Sequence, residues 1–476
     1  MNLKESLRFL AKDSMFYGIA TSILKVAPLL IYPILNRLIS IDGIGSLDIA
    51  ISNAAYFIAF ITLGLDSGVA RFYYKNDNLE YRKKIISSAL MISLVSTLFL
   101  FILTPILYNI ALEYVFNKNS VITNYWLIYL FSIPAQSLFL FSQTIFKYRF
   151  ERKKFLTMTL GFTVSYIGLF YLFIYVLNLE EKSILYSSLI SYYIFAFVGL
   201  YLTHDLLDFS NWKTNIKYIK KLLKYSLPFA FVSLFSMLIL YFDRIVLFKN
   251  LGSIETAYYS NAIKVASIFG MVIAAFSISS GPFIMSRWKE KNFAQIISRI
   301  LNLYLLAALI GAIVFLFFKN FLIDIFCTSL YRASGAYIPI LIFSQILEGL
   351  FIFSFIGLIY AYKSWYTFYI YMAAAIFSMT LNFALIPYLG IWGALLSLIF
   401  SKLVIIFFSF IISNKYMDIK FNFGIIIAFI FSATLVSYYS VLENNLMLSI
   451  ILALNVLLFM YLLYENFFNS HKNIKI

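Results

Sequence analysis

The sequence has 476 residues, of which 62% are hydrophobic and 12% charged, and its mean hydropathy is +0.89. Soluble domains are about half apolar and a quarter charged, so this composition is typical of a membrane protein and excludes disordered and collagen-like chains. Cys327 is the single cysteine, which excludes a disulfide framework within the chain. The net charge of +16 is dispersed over loops with no basic domain, which argues against nucleic acid as a partner.

The N-terminal end carries three basic residues, and an apolar run follows at residues 15–36. This run is longer than the apolar core of a signal peptide, and no cleavage site made of small residues closes it. We therefore predict that residues 1–14 form a cytoplasmic tail and that the run is the first membrane span.

Similar apolar runs recur to the end of the chain, and each is long enough to cross a hydrocarbon layer about 30 Å thick. They far exceed the roughly ten-residue strands of a membrane barrel, so they predict helices and an all-α membrane protein. In chain order the fourteen predicted helices are 15–36, 45–65, 85–107, 121–146, 155–177, 183–202, 225–248, 255–286, 300–318, 337–361, 365–388, 392–412, 423–441 and 446–464.

The basic residues predict the orientation, because short cytoplasmic loops carry an excess of Lys and Arg. With the N-terminus inside, 27 of the 37 basic residues fall on the inner side and seven on the outer side. Both termini of this multi-pass protein are therefore predicted to be cytoplasmic.

An internal repeat relates two segments of the sequence, residues 37–50 and residues 244–257, which align without a gap. Arg, Gly, Ser and Ala recur at matched positions, and an acid is kept at the position of Asp48 and Glu255. Chance similarity between two apolar segments is the alternative. Each copy joins the first and second helix of a set of six, so the copies have the same orientation, as in transporters built from two parallel lobes.

This repeat predicts the domain organisation. The predicted parts are an N-lobe with the first six helices, a basic cytoplasmic linker, a C-lobe with the next six, and two appended helices with a cytoplasmic tail, at residues 15–204, 205–224, 225–413 and 414–476.

The loops are too short for a soluble catalytic or nucleotide-binding domain. No phosphate-binding loop, dinucleotide fingerprint or zinc-protease motif occurs in the sequence. The two histidines, His204 and His471, and the single cysteine do not predict a metal site. We therefore predict no cofactor and no enzymatic activity, and a substrate pathway through the membrane remains.

Charges inside the predicted helices are the candidates for that pathway, because a central Lys or Asp costs about 2.5–3.5 kcal/mol to insert and usually faces a cavity. Lys25 and Lys264 lie deep in the first helix of one lobe and the second helix of the other. They predict a cationic lining for an anionic substrate, and the alternative is a structural partner for a buried acid or carbonyl.

Arg37 and Arg244 end the first predicted helix of each lobe. A role in the cationic cavity and an interfacial position with the head in water both remain open. Asp66 and Arg71 lie at the predicted cytoplasmic mouth of the second helix, where a gate and a solvated helix end are equally compatible with the pattern.

Two acids are candidates for ion coupling. Glu348 lies in the middle of the tenth predicted helix, where the alternative is a neutral, hydrogen-bonded carboxyl group. Asp243 precedes Arg244, where the alternative is a local ion pair.

Four stretches carry a resemblance to a known family. They are Pro-Ile-Leu-Asn-Arg at residues 33–37, Gly-Leu-Asp-Ser-Gly-Val-Ala-Arg-Phe-Tyr-Tyr at 64–74, Asp-Arg at 243–244 followed by Leu-Gly at 251–252 and by residues 259–264, and Asn-Phe-Ala-Leu-Ile-Pro-Tyr-Leu-Gly-Ile-Trp-Gly at 382–393. In these the chain resembles bacterial polysaccharide flippases, the O-antigen and capsule repeat-unit transporters of the multidrug, oligosaccharidyl-lipid and polysaccharide exporter superfamily.

The resemblance implies a two-lobed bundle of twelve or fourteen helices that moves an undecaprenyl-pyrophosphate-linked oligosaccharide to the outer leaflet. It also implies that cations in the cavity hold the pyrophosphate, a role that suits Lys25 and Lys264. The polysaccharide polymerase and the chain-length machinery would be partners.

Two other functions remain open. A cation-coupled drug exporter of the same superfamily would need acids in its cavity. A membrane-embedded glycan polymerase would need a larger outer loop or an acidic catalytic site.

Overall fold

A computed structural model describes residues 3–76, 78–208, 212–287, 293–361 and 363–417, with scattered positions between 435 and 457. The regular elements of these ranges are helices, and ten of the described helices are long and apolar enough to cross a membrane. The chain is thus an all-α, multi-pass membrane protein.

The fourteen α-helices of the described residues, named α1 to α14 in chain order, are Leu3–Leu38, Ile41–Thr62, Leu65–Tyr73, Leu79–Ile110, Ser120–Tyr148, Arg152–Tyr171, Lys182–Thr203, Trp212–Arg287, Phe293–Phe317, Lys319–Phe326, Ile338–Ser354, Ile356–Tyr360, Ser364–Leu389 and Ile391–Asn414. Short π-helical turns, Ala111–Val115 and Leu172–Val176, extend α4 and α6, and 3₁₀ turns, His204–Leu206 and Ser329–Ala336, follow α7 and α10.

These fourteen helices are not the fourteen predicted membrane spans. Several predicted spans are divided or merged in the structure, and α10 and α12 are short. The last two predicted spans, at residues 423–441 and 446–464, lie outside the described residues apart from scattered positions. The number of membrane spans stays a prediction, as do the lobes that the repeat predicts.

The first two predicted helices have different boundaries in the structure. Helix α1 begins at Leu3 and not at residue 15, because no Pro or Gly stops the helix where the apolar run begins. Helix α2 begins at Ile41, where the Ser40 hydroxyl accepts a hydrogen bond from the Gly43 amide at 3.1 Å and caps the helix.

The predicted helix 45–65 is also wrong at its C-terminal end. The chain leaves the helix at Leu63 and Gly64, which have φ values of 45° and 63°, and α3 follows as a separate short helix. A side chain at Gly64 would be strained at this φ and would lie within 3 Å of the Ser226 carbonyl oxygen. Glycine therefore permits both the turn and the close approach of α8.

Helix α8 contains both predicted helices 225–248 and 255–286. Between them, Gly252 is the residue of α8 with non-helical backbone angles (φ 85°, ψ −174°). It begins at Trp212, so most of the predicted linker 205–224 is helical. The predicted helix 337–361 is instead divided at Phe355 into α11 and α12. There the Gly357 amide donates to the Ser413 hydroxyl at 2.6 Å.

The chain packs as two compact units. The unit with α2 to α7 comprises Ile19–Ala257 and Thr367–Ala394, and we call it the N-terminal unit. The other comprises Met1–Gly18, Tyr258–Tyr366 and Leu395–Ile476, and we call it the C-terminal unit.

Helix α3 is amphipathic and covers a hydrophobic core of the N-terminal unit. Leu65, Val69 and Phe72 face this core, together with Ile85 of α4 and Leu222 of α8. The spacing of these α3 residues by three and four positions places them on one face of the helix. The opposite face, which carries Asp66 and Arg71, is exposed.

Candidate functional site

Arg244 belongs to a buried charged cluster in the N-terminal unit. Its side chain is 6% exposed, and its Nε lies 2.9 Å from Oδ2 of Asp48. Its Nη1 lies 3.3 Å from Oδ1 of Asp243 and donates to the Leu240 carbonyl at 2.6 Å. A buried charge is tolerated when its partners satisfy it in this way. The local pair of Asp243 with Arg244 is present, and the guanidinium group of Arg244 is buried in protein and not exposed to water.

The same cluster joins the two copies of the sequence repeat. Asp48 belongs to the first copy and Arg244 to the second. The Ser253 hydroxyl of the second copy donates to the Asp42 carboxylate of the first. The Ser253 carbonyl oxygen also occupies the space that a Cβ atom on Gly45 would need. The two copies therefore pack directly against each other.

The equivalent arginine of the first copy has a different environment. Arg37 is exposed, and its Nη1 donates to the Pro33 carbonyl one turn earlier at 3.2 Å. A head group in water at a helix end is the interfacial alternative that the sequence left open. The structure does not bring Arg37 into the buried cluster of Arg244.

Asp66 and Arg71 lie on the same short helix but line different cavities. Asp66 lines a cavity of about 250 Å³ inside the N-terminal unit. Most of its wall is apolar, and its other polar side chains are hydroxyl groups from Thr62, Ser93, Ser137, Thr144 and Ser233. The structure therefore does not pair Asp66 with Arg71 in one gate, although each lies beside a cavity.

Arg71 lines the second cavity, of about 580 Å³, which we call the basic pocket. Its cationic side chains come from α3, from the turn after it, and from the N-terminal part of α8: Arg71, Lys75, Lys221 and Lys224. Sequence reasoning had assigned these lysines only to the orientation of the loops. Two lysines three positions apart on one helix were the available signal, since such residues are neighbours on its surface.

Of the two predicted intramembrane lysines, the structure describes one side chain. Lys25 lies on α1, and its side chain is outside the described residues. Lys264 is half-buried on α8 in the C-terminal unit, where its positive charge acts on the thiol of Cys327. That thiol lies 3.5 Å from the Asn261 amide oxygen, one turn before Lys264. Joint lining of a cavity by the two lysines stays a prediction.

Glu348 is paired with a lysine of the C-terminal unit. Its Oε2 lies 3.0 Å from Nζ of Lys402, which also donates to the Ser344 carbonyl at 3.1 Å. The Lys402 side chain is 4% exposed and that of Glu348 51% exposed. The structure thus gives Glu348 a cationic partner, and its role in ion coupling stays a prediction.

In the part of the chain that the structure describes, no group of three or more His, Cys, Asp or Glu residues could hold a metal ion. The charged groups that it brings together include the Arg244 cluster, the basic pocket and the pair of Lys402 and Glu348.

Comparison with known proteins gives this arrangement a context. Residues 10–286, more than half of the chain, match the family described as Polysaccharide biosynthesis protein. An uncharacterized membrane protein of Haemophilus influenzae is 24% identical over 296 residues, which are 59% of this chain and 66% of that protein. The match therefore spans just under two thirds of the length of this relative.

Solved structures show the same fold. The lipid II flippase MurJ, in an inward closed conformation, aligns with a TM-score of 0.71 at 14% identity, over 94% of this chain and 99% of MurJ. A mutant of the Vibrio cholerae MATE transporter VcmN aligns with a TM-score of 0.57 at 16% identity, over 86% and 98% of the two chains. The family match and the fold together confirm the resemblance seen in the sequence: the chain belongs to the polysaccharide biosynthesis protein family, within the multidrug, oligosaccharidyl-lipid and polysaccharide exporter superfamily.

Proposed function

We propose that this protein moves an undecaprenyl-pyrophosphate-linked oligosaccharide from the cytoplasmic to the outer leaflet of a bacterial inner membrane, for O-antigen or capsule assembly. Transport is by alternating access, without a catalytic step. The family match over residues 10–286 is the observation that carries the proposal. A polymerase and chain-length machinery would receive the translocated unit.

The Arg244 cluster supports alternating access. Arg37 and Arg244 both lie at predicted outer ends of helices, so the contact between the two repeat copies lies on the predicted outer side. The contact is buried, charged and closely packed. In our proposal it closes the outer side and separates when the substrate leaves.

The cationic residues fit a diphosphate. In our proposal Lys25 and Lys264 neutralise the pyrophosphate during translocation, while the polyprenyl tail stays in the bilayer. Lysine acts as a point charge toward phosphate, so it holds a moving group without requiring one fixed geometry. Both termini are cytoplasmic in this arrangement.

The test is the distribution of lipid-linked glycans in a strain that lacks the protein. Mass spectrometry identifies the accumulated glycolipid, and a membrane-impermeant sugar-oxidising reagent reports its leaflet. We expect single repeat units to accumulate on the cytoplasmic face and wild-type protein to restore their export. Units that reach the outer leaflet but stay unpolymerised would indicate a polymerase. An unchanged glycolipid pool would indicate an exporter of another substrate.

A further inference from the structure

The basic pocket collects four positive charges in a small volume. Arg71 and Lys75 come from α3 and the turn after it, and Lys221 and Lys224 come from α8. Among the residues that the structure describes, the pocket lining contains no acidic side chain. Like charges so close together repel each other, and an anionic ligand would remove that repulsion.

Two of the four cations lie over aromatic rings. The guanidinium carbon of Arg71 lies 4.4 Å from the centre of the Tyr225 ring. Nζ of Lys221 lies 4.7 Å from the centre of the Phe72 ring. A ring face attracts a cation but leaves the charge unneutralised. Within the described residues, no carboxylate lies within ion-pair distance of the four cations, so their N–H groups can bind an anion.

Two glycines bring the two walls of the pocket together. Gly64, in the turn before α3, and Gly68 of α3 lie against Ser226 of α8, and a Cβ atom at either position would overlap that residue. Because Ser226 follows Tyr225 directly, this contact places the Arg71 side chain over the Tyr225 ring. Part of the stretch 64–74 that carries the family resemblance therefore builds this pocket.

The volume and the position of the pocket indicate the class of ligand. About 580 Å³ falls in the range of small-molecule sites. Lys75, Lys221 and Lys224 come from segments that the excess of basic residues places on the cytoplasmic side. Clusters of four or more Lys and Arg residues beside a membrane helix are typical of sites for anionic lipid head groups.

We propose that the basic pocket binds the phosphate group of an anionic lipid at the cytoplasmic surface, before any transport step. The occupant that fits the pocket best is a polyprenyl diphosphate, because its adjacent phosphates can contact cations from both walls. Only this choice of occupant rests on the proposed function. The binding of a lipid phosphate does not.

Lipid binding to the full-length protein tests the proposal directly. The protein is placed in nanodiscs of phosphatidylcholine, and native mass spectrometry measures the binding of added undecaprenyl diphosphate or phosphatidylglycerol. The pocket variant is Lys221→Gln with Lys224→Gln. We expect it to bind the anionic lipid at least about tenfold more weakly, since each basic residue near a lipid surface contributes about 1 kcal/mol.

The matched control is Lys217→Gln with Lys220→Gln, which removes the same charge from α8 outside the pocket lining. Unchanged binding by the control and weak binding by the pocket variant support the proposal. Equal loss in both variants, or no loss in either, overturns it. A third variant, Lys221→Arg with Lys224→Arg, keeps the positive charges and should bind the lipid as the wild type does. Thermal unfolding of the wild type and the three variants shows whether weak binding reflects a failure to fold.

The two probes distinguish the sources of the phosphate. Stronger binding of undecaprenyl diphosphate identifies a diphosphate lipid as the occupant, and equal binding identifies the surrounding anionic phospholipids. Translocation is measured separately in the leaflet assay. A protein that binds the lipid but does not flip it would contradict the proposed function and leave the pocket in place. A protein that flips its substrate, but whose pocket variant binds normally, would contradict the pocket alone.

Discussion

Nε of Arg244 lies 2.9 Å from Oδ2 of Asp48, and the two residues belong to different copies of one sequence repeat. The equivalent positions are Arg37 and Glu255. Arg37 differs from Arg244 in burial, because it is exposed, and its Nη1 donates to the Pro33 carbonyl. The repeat is therefore asymmetric in this conformation, with one arginine buried in an ion pair and the other in contact with solvent.

The first prediction concerns the buried pair. We expect Asp48→Asn to lower the free energy of unfolding by about 3–5 kcal/mol, because it removes one partner of a buried ion pair. The control is Asp324→Asn. Asp324 pairs with Arg332 at 3.1 Å, but the two side chains are 41% and 65% exposed, so its loss should cost less than about 1 kcal/mol. Thermal and denaturant unfolding in detergent measure the stability of both variants. If both lost the same small amount of stability, the ion pair of Asp48 with Arg244 would contribute no more than an exposed pair.

The second prediction concerns the close contact of the repeat copies. Gly45→Ala should destabilise the protein, because its Cβ would overlap the backbone carbonyl of Ser253, which cannot rotate away as a side chain can. Gly168→Ala on α6 is the control, since open space surrounds that position. In a helix this change alone should stabilise by up to about 1 kcal/mol. The unfolding midpoint should therefore fall for Gly45→Ala and rise for Gly168→Ala. A rise for both variants would contradict the close contact at Gly45.

The third prediction concerns the contact of α3 with α8. Gly68→Ala should lower the unfolding midpoint and weaken the basic pocket, because its Cβ would meet the Ser226 hydroxyl oxygen. Since that atom belongs to a side chain, Ser226→Ala should restore much of the loss. Gly64→Ala should not be rescued, because its φ is positive and its nearest contacts include the α8 backbone. If Ser226→Ala restored the unfolding midpoint of both glycine variants equally, the contacts described for Gly64 and Gly68 would be wrong.

The fourth prediction concerns Cys327, which is buried between the candidate spans Phe293–Phe317 and Ile338–Tyr360. Burial raises the pKa of its thiol to about 12, while the charge of Lys264 partly opposes the increase. The reactive thiolate is therefore scarce below pH 9, and we expect maleimide to label the native protein slowly and the denatured protein rapidly.

Lys264→Gln should raise the pKa of the Cys327 thiol further, because it removes the charge that favours the thiolate. The rate of native labelling between pH 7 and 10 should then be lower than in the wild type at every pH. Lys249→Gln, which changes an exposed lysine of the N-terminal unit, serves as the control and should leave the rate unchanged. Fast labelling of the native wild type would contradict the burial of the thiol.

The sequence predicts an all-helical membrane protein, because the length of an apolar run must match the thickness of the bilayer. It does not predict where a helix continues beyond that run, as α1 does toward Leu3, or where a glycine interrupts it, as at Gly64. Hydropathy measures the transfer of side chains into lipid. Helix ends depend on caps, on φ and on neighbouring helices.

The site residues show a similar division. A charged residue in an apolar run is visible in the sequence, and Arg244 and Asp243 were identified in this way. Their partner Asp48 lies in the other repeat copy, so only the packing of the copies identifies it. The basic pocket was missed because Arg71 and Lys221 are distant in sequence, and hydropathy treats basic residues near helix ends as markers of orientation.

Helix α8 connects two of these features mechanically. Between Lys221 and Arg244 it contains no residue with non-helical φ and ψ, and at 1.5 Å per residue this segment is about 35 Å long, enough to span the hydrocarbon layer. It can act as a lever with the basic pocket at one end and the ion pair to Asp48 at the other. A ligand that tilts the Lys221 end by a few degrees would shift Arg244 relative to Asp48 by an ångström or more. In the proposed transport cycle, loading on the cytoplasmic side would thus loosen the proposed outer closure without any change inside the helix.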